Sequence, residues 1–583
     1  QPVLLTAQRY SIADCLSATN RVTICLTVSE NKIMILTNLD NIAITYISTP
    51  IFTNLSWEIH DGRCAGLVGP NGCGKSSLMK LIAGELTSDT GYVVRSSGLT
   101  VGYLTQEPQL TAGRTVWEEA VTAHTVLHEI EEQLAVIDLE LGDPDVYGDE
   151  ETLNRVLAEQ ERLLQQYADE GGPAYEGRVR STLAQLGFET EAKRALPVDI
   201  LSGGQKKLVG LAKLLVTQPK LLLLDEPDNH LDIEGKHFLE QLIRNYDGGV
   251  IIVSHDRYLL DLVADEIMEL EDGKLTRYIG NYSEYAFEKQ NNLLRQQQLF
   301  QAQAKEINRL EQSAKRLMMW GRVYDNVKFI RRAQSMMKRI DKIDRIDKPI
   351  IDRKRMDLEL SGWRGSNKVL SITDLDRVFV DEASGDENIV LMGLDLLIWR
   401  GERIGLVGPN GAGKSVLFRL ILEQDEPTSG DITIGPSVTT GYYAQEHESL
   451  VYNQTLLDTI RNTVPMTEST AVSFLGKFLF NYQQVRGPVS ELSGGERSRL
   501  QMALLMLSNA NFLLLDEPTN NLDIPSAEVL EEALAEFNGT VLVISHDRYF
   551  LDRVVDRIVE LDNGVLTEYT GGYSDYQEQK RKS

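Results

Sequence analysis

Two lysines, Lys75 and Lys414, close the glycine-rich runs GPNGCGKS and GPNGAGKS, and a serine follows each. Such a loop suits phosphate. Glycines let backbone N–H groups come close to phosphate oxygens, and the helix starting behind them turns the favourable end of its dipole to the anion. The phosphate-binding candidates are Gly69, Asn71, Gly72, Gly74, Lys75, Ser76 and Ser77 in the first run. In the second they are Gly408, Asn410, Gly411, Gly413, Lys414 and Ser415. The lysines are expected on the β- and γ-phosphates of a nucleotide. Ser76 and Ser415 are expected on Mg²⁺, supported by Asp225 and Asp516, which end the apolar runs LLLLD and FLLLD. Glu226 and Glu517 come next in the chain and are placed to polarise an attacking water. Gln106 and Gln445 would sense the metal or that water, and His255 and His546 would contact the γ-phosphate. Together these residue types could hydrolyse a nucleoside triphosphate.

The set occurs twice, in one order and with one spacing. Lys75 to Gln106 and Lys414 to Gln445 are both 31 residues. Ser202 to Asp225 and Ser493 to Asp516, counted from the motifs LSGGQ and LSGGE, are both 23. Asp225 to His255 and Asp516 to His546 are both 30. Turn glycines and strand-end caps would explain any one of these residues. They do not explain five motifs repeated in register, so the chain holds two ATPase cassettes with ATP as the nucleotide.

Elements that could position these residues are legible around them. An apolar strand runs into each glycine loop, CAGLVG before Pro70 and RIGLVG before Pro409, and helical periodicity follows in KSSLMKLIAGEL and KSVLFRLILEQ. An apolar helix follows each LSGG, and the strands KLLLLDEP, NFLLLDEP, GVIIVSHD and GTVLVISHD come after. Strand alternating with helix predicts an α/β fold: two P-loop cassettes, each with a parallel-sheet core and a helical signature subdomain. The expected boundaries are 34–280 for the first cassette, 281–365 for a basic helical linker and 366–583 for the second cassette.

A length of 583 residues, 42% hydrophobic and 7% aromatic, is ordinary for globular protein with two or three domains. No uninterrupted apolar run reaches the roughly 18–20 residues of a membrane helix. The four cysteines, Cys15, Cys25, Cys64 and Cys73, form no metal-spaced pattern and point to a reducing cytoplasm. No secretory leader is legible. Residues 1–33 carry no motif and read as a start-site extension or a poorly ordered native arm, because the first expected strand opens at Met34.

Net charge is −27, which argues against general polyanion binding, but its distribution is uneven. Residues 107–190 hold 19 acids against 5 bases, and residues 301–356 hold 16 bases against 7 acids. The acidic stretch coincides with a break in symmetry: Gln106 to Ser202 is 96 residues, whereas Gln445 to Ser493 is 48. The insertion predicts an arm over about 125–172, two amphipathic helices around a turn containing Gly142, Asp143 and Pro144. The basic stretch predicts a second helical hairpin, with its tip at WGRVYDN around Gly321 and its returning helix ended by Pro349. A polar helix of this length could be a spacer. Here the cations gather toward the tip and the returning run, beside Trp320, Tyr324 and Phe329.

With the glycine loop, the Gln, the LSGG signature, the DEP and the His all in place, the chain resembles ATP-binding cassette (ABC) ATPases. The resemblance implies a head-to-tail sandwich. Ser493, Gly494, Gly495 and Glu496 would cover ATP on Lys75, and Ser202, Gly203, Gly204 and Gln205 would cover ATP on Lys414. It also puts Tyr46 and Phe379 at the position that stacks on adenine, though either could be a core aromatic. Within that superfamily the chain resembles the ABC-F group of translation-associated ATPases from Met34 onward, by its tandem cassettes, DEPDNHLD and DEPTNNLD, the arm and the basic linker. Asp228 departs from the usual threonine, which Thr519 keeps. The resemblance implies a monomer with an internal pseudo-dimer that binds the ribosome and modulates translation. Arg322, Lys328, Arg331, Arg332, Lys338 and Arg339 would then meet rRNA or tRNA phosphates, and the acidic arm a ribosomal protein. A DNA-processing ABC-F ATPase and the ATPase subunit of an exporter stand as rival readings.

Overall fold

The computed structural model describes residues 34–582 except 47–48, 142–149, 170, 325, 344–355, 357, 359, 361–364, 381–386 and 446–449. The expected N-terminal extension, the turn of the arm and Pro349 lie outside the described residues.

The first cassette carries β1 (Ile35–Tyr46), β2 (Thr49–His60), β3 (Cys64–Val68), β4 (Thr90–Arg95), β5 (Val101–Leu104), β6 (Leu221–Asp225), β7 (Gly249–Val253), β8 (Glu266–Glu271) and β9 (Lys274–Ile279). They form a six-stranded sheet of order β5-β6-β7-β3-β8-β9 and an antiparallel sheet of order β2-β1-β4. The larger sheet is parallel from β5 to β8 and closes with the antiparallel β8–β9 pair. The second cassette repeats this with β10 (Lys368–Val380), β11 (Glu387–Trp399), β12 (Arg403–Val407), β13 (Ser429–Ile434), β14 (Thr440–Tyr443), β15 (Phe512–Asp516), β16 (Thr540–Ile544), β17 (Arg557–Asp562) and β18 (Val565–Thr570). Its sheets have orders β14-β15-β16-β12-β17-β18 and β11-β10-β13. The α/β expectation therefore stands.

Strands buried on both faces read as continuous apolar runs, and every residue of β3, β6, β7, β15 and β16 is buried. Alternation still decides which layer each side chain joins. Leu222, Leu224, Val250 and Ile252 pack with the helical layer that carries Val209, Leu211 and Ala212. Leu221, Leu223, Ile251 and Val253 pack with Leu78, Met79 and Ile82 of the helix Lys75–Ala83 and with Leu39 and Phe52 of the antiparallel sheet. Burying each such side chain stabilises by about 1.5–3 kcal/mol. This packing anchors the strand ends where Asp225 and Asp516 sit.

The arm is a pair of helices, Thr125–Leu141 and Glu150–Asp169. Gln160 donates to Asp138 at 3.0 Å and Tyr167 to Glu131 at 3.0 Å, so one helix runs back along the other. Ile130, Ile137, Val156 and Leu163 form their common core. In the linker a helix of 42 residues, Tyr282–Val323, is followed by the returning helix Val327–Asp341. The long helix ends at Val323 and the returning one starts at Val327, so the reversal falls inside the expected WGRVYDN segment. Gly321 is not the turn itself. It is buried in the last turn of the long helix, where a Cβ would overlap Ile330 of the returning one. The long helix is N-capped by Asn281 and Glu284 in a capping box. Tyr285 anchors it to the cassette by donating to Glu269 at 2.6 Å.

Candidate nucleotide-hydrolysis site

Each glycine loop leaves a buried strand, β3 or β12, and ends at a helix N-terminus. Gly69 and Gly408 have φ of 156° and 153°, and a Cβ on either would run into the carbonyl oxygen of Leu270 or Leu561. Only glycine fits there, at the bend that turns the loop's N–H groups inward. The Lys75 ammonium donates to the carbonyls of Gly69 at 2.8 Å and Pro70 at 3.1 Å, and Lys414 repeats this on Gly408 and Pro409 at 2.8 and 2.9 Å. Both amines therefore lie over the cradle that the loops enclose.

The acidic residues stand opposite. Asp225 ends β6 and is hydrogen-bonded by Ser76 and by Tyr103, the latter at 3.2 Å. Burial pushes its carboxyl above the ordinary aspartate value. Glu226 accepts from Gln106 at 2.8 Å and from Asn229 at 2.7 Å, with His255 at 3.6 Å. In the second cassette Glu517 has His546 at 3.5 Å and accepts from the His546 amide at 3.3 Å. The first site's expected Gln, Glu and His thus converge on one carboxylate. For a cation the oxygens on offer are a serine hydroxyl and one buried carboxylate, and the described residues hold no cluster of three or more His, Cys, Asp or Glu able to bind a metal alone. That donor set fits Mg²⁺, which keeps most of its shell for water and substrate phosphates.

The loops then meet the other cassette. Asn71 donates its amide N–H to Asp523 at 3.2 Å and its side chain to the carbonyl of Asn521 at 3.3 Å. Asn410 makes the same pair of bonds to Asp232 at 3.2 Å and to the carbonyl of His230 at 3.1 Å. A cavity of about 490 Å³ is lined by Ser202, Gly203 and Gly204 of the first cassette and by Gly413, Lys414, Ser415, Gln445, Glu517 and His546 of the second. The head-to-tail arrangement expected from the resemblance is what the cassettes adopt.

The family model described as ABC transporter matches residues 52–229 and 391–520, and a second model of the same description matches 268–360, over the linker. The chain is 37% identical to the putative ATP-binding protein YdiF of Bacillus subtilis, over 94% of this chain and 83% of that one. It is 33% identical to ABC transporter F family member 5 of Arabidopsis thaliana, over 93% and 77%. The chain belongs to the ABC-F family. It is an ATP-binding ATP hydrolase. It is also 35% identical to the energy-dependent translational throttle protein EttA of Haemophilus influenzae, over 91% and 93%. Among solved structures it resembles an archaeal ribosome recycling factor in complex with a ribosomal stalk protein, at a TM-score of 0.56 and 19% identity over 93% and 92%; that likeness concerns the fold. No helix among the described residues of this ABC-F chain is long and apolar enough to cross a membrane.

The remaining expected residues divide. Tyr46 is 68% exposed, so it is no core aromatic. It pairs with Thr49, two residues before Ile51, which touches Gly74. Phe379 pairs with Asn388, two residues before Val390, which touches Gly413, but the Arg377 guanidinium covers its ring at 4.4 Å. Ser77 sits half-buried in the first turn of the helix behind Lys75. Gln205 and Glu496 close capping boxes on Ser202 and Ser493, so their side chains hold the signature helices Gly203–Thr217 and Gly494–Leu507 in place. Such a cap stabilises by about 1 kcal/mol. Arg322, Lys328, Arg331, Arg332, Lys338 and Arg339 are all exposed, while Ala333 and Ile340 of the returning helix are buried.

Sequence reading missed Lys207, which donates to the Glu226 carbonyl at 2.7 Å. Its counterpart 291 residues on is Ser498, which carries no charge. The carboxylates differ accordingly. Burial pushes Glu226 up, but His255, Lys207 and Lys75 outweigh it and hold the carboxyl below the ordinary glutamate value. Glu517, buried beside Asp516, is pushed up to about 8 against the pull of Lys414 and Lys236. The two sites share their parts but not their electrostatics.

Proposed function

We propose that this ABC-F ATPase binds the ribosome and uses ATP binding and hydrolysis to modulate translation, with its linker tip against rRNA or tRNA phosphates. The observation that carries the reading is the exposed basic face of the returning linker helix, lifted from the cassettes on a helix of 42 residues. A translational throttle protein among the relatives supports it. In this reading Lys75 and Lys414 bind the phosphates, and Ser493, Gly494 and Gly495 or Ser202, Gly203 and Gly204 close over them. Tyr46 and Phe379 hold adenine. Glu226 and Glu517 align water, oriented by Gln106, Gln445, His255 and His546. Ser76 with Asp225, and Ser415 with Asp516, would hold Mg²⁺, which supplies charge neutralisation at the transferring phosphate. The chain works as a monomer in the cytoplasm, its two cassettes forming the sandwich internally.

The sandwich is closed by ligands bridging both cassettes, so blocking hydrolysis shifts the population toward the partner that the closed state binds. The double variant Glu226→Gln with Glu517→Gln, loaded with ATP, should co-sediment with ribosomes well above the ATP-free protein, and not with membranes. Equal ribosome occupancy in both forms would overturn the translation reading.

The linker has its own test. Replacing Arg322, Lys328, Arg331 and Arg332 by Gln keeps helix propensity close to the parent. Ribosome-independent hydrolysis should persist, because these residues lie away from the sites. Ribosome affinity should fall, and the slope of log K against log salt should flatten by about 0.7–0.9 for each phosphate that is no longer neutralised. An unchanged affinity and slope would reduce the basic run to a solvated face.

A further inference from the structure

The interface between the cassettes holds a charged cluster that the internal repeat does not repeat. The helix Ile233–Arg244 starts at Asp232, whose side chain accepts from the Gly235 amide at 2.9 Å and from the Asn410 amide of the opposite loop. One turn in, Lys236 is 7% exposed. Its ammonium donates to Asp256 at 2.9 Å and, across the interface, to the carbonyl of His546 at 3.0 Å. Asp228 is 4% exposed and faces Lys236, Asp256 and Ser254. Burial pushes Lys236 toward neutrality, but Asp256, Asp228 and Asp547 outweigh it and keep the amine charged.

The matching places in the second cassette hold Thr519 for Asp228 and Ala527 for Lys236, while Asp547 matches Asp256 and Ser545 matches Ser254. An acid and a base have thus been exchanged together, leaving the buried charge balanced. The methyl of Ala527 offers no donor to the carbonyl of His255. Desolvating an amine and two carboxylates is costly unless they are paired, and here the amine also does something no apolar side chain could. It clamps the backbone of the opposite cassette's histidine.

We propose that Lys236 is a positioning residue for the second site, holding the His546 segment from the first cassette so that hydrolysis at Lys414 depends on this clamp, whereas the His255 segment of the first site has Ala527 opposite and no such clamp. The two sites therefore turn over unequally, and the clamp acts in one direction. This rests on the assignment of Glu517 and His546 to the second site.

The test replaces Asp228 by Thr and Lys236 by Met together, which keeps the buried stem and the charge balance and leaves Asp256 with Arg548 at 3.8 Å. Hydrolysis is measured with one site silent. With Glu226→Gln, which leaves the second site active, the double substitution should lower kcat by on the order of 10-fold or more with KM for ATP little changed. With Glu517→Gln, which leaves the first site active, kcat should stay near its own reference. Without nucleotide, amide exchange over 545–549 should quicken relative to the parent, while the helix Lys75–Ala83, away from the cluster, keeps its protection. Equal losses in both backgrounds, or unchanged exchange over 545–549, would overturn the proposal. If neither Gln substitution alone slows hydrolysis, the catalytic assignment fails, and the exchange measurement still decides whether Lys236 holds the His546 segment.

Discussion

Changing Glu226 and Glu517 together to Gln slows ATP hydrolysis by roughly 10²–10⁴-fold, the loss typical when a water-positioning or general-base group is removed. Gln keeps the shape and the hydrogen-bond acceptor but not the charge that polarises water. Nucleotide affinity should survive, because the glycine loops, Lys75, Lys414 and the signature serines are untouched. The two single variants should differ. Glu226 is held ionised by His255, Lys207 and Lys75, whereas Glu517 is pushed toward its neutral form by burial and Asp516. Steady-state phosphate release and equilibrium binding of a fluorescent ATP analogue give the two numbers. Hydrolysis near the parental rate in the double variant would mean that these glutamates have been given the wrong role.

Replacing Arg548 by Ala destabilises the cassette pair by about 3–5 kcal/mol, the usual consequence of removing one partner from a buried ion pair. Arg548 is fully buried, pairs with Glu240 of the other cassette, and lies over the Tyr258 ring at 4.2 Å. Its counterpart Arg257 pairs with Glu531, which is also fully buried, and lies over the Tyr549 ring at 4.0 Å. The stem of Glu531 is thus enclosed, and it also receives Arg553 at 2.8 Å. These two reciprocal pairs bridge the cassettes. Docked cassettes share one unfolding transition, and parts that uncouple no longer unfold in one step, so the effect is best read as a split of one calorimetric transition into two. A single transition at the parental temperature would show that the pairs contribute nothing. Replacing Arg548 and Glu240 together by Met should cost less than Arg548→Ala, since no charge is then left buried alone.

What the sequence determined by itself is what depends on neighbours in the chain. The runs GPNGCGKS and GPNGAGKS mark the phosphate loops by themselves, although the carbonyl oxygens of Leu270 and Leu561 that exclude a Cβ at Gly69 and Gly408 come from β8 and β17. LLLLD and FLLLD read as strands covered on both faces because their apolar runs have no polar break. The arm and the linker were legible from charge and from helix formers between breakers. Tyr46 and Phe379 were ambiguous because one aromatic in one strand does not say which face is open; pairing with Thr49 and Asn388 decides their place. The tertiary structure alone decided contacts between residues hundreds apart, such as Lys236 with His546, Arg548 with Glu240 and Asn410 with Asp232. Such contacts leave no period in the sequence, because each is set by how two preformed cassettes pack rather than by either chain segment. Their one trace was negative. Asp228, Lys207 and Lys236 stand where the repeat has Thr519, Ser498 and Ala527, and a buried charge that breaks a repeat needs a partner from elsewhere in the fold.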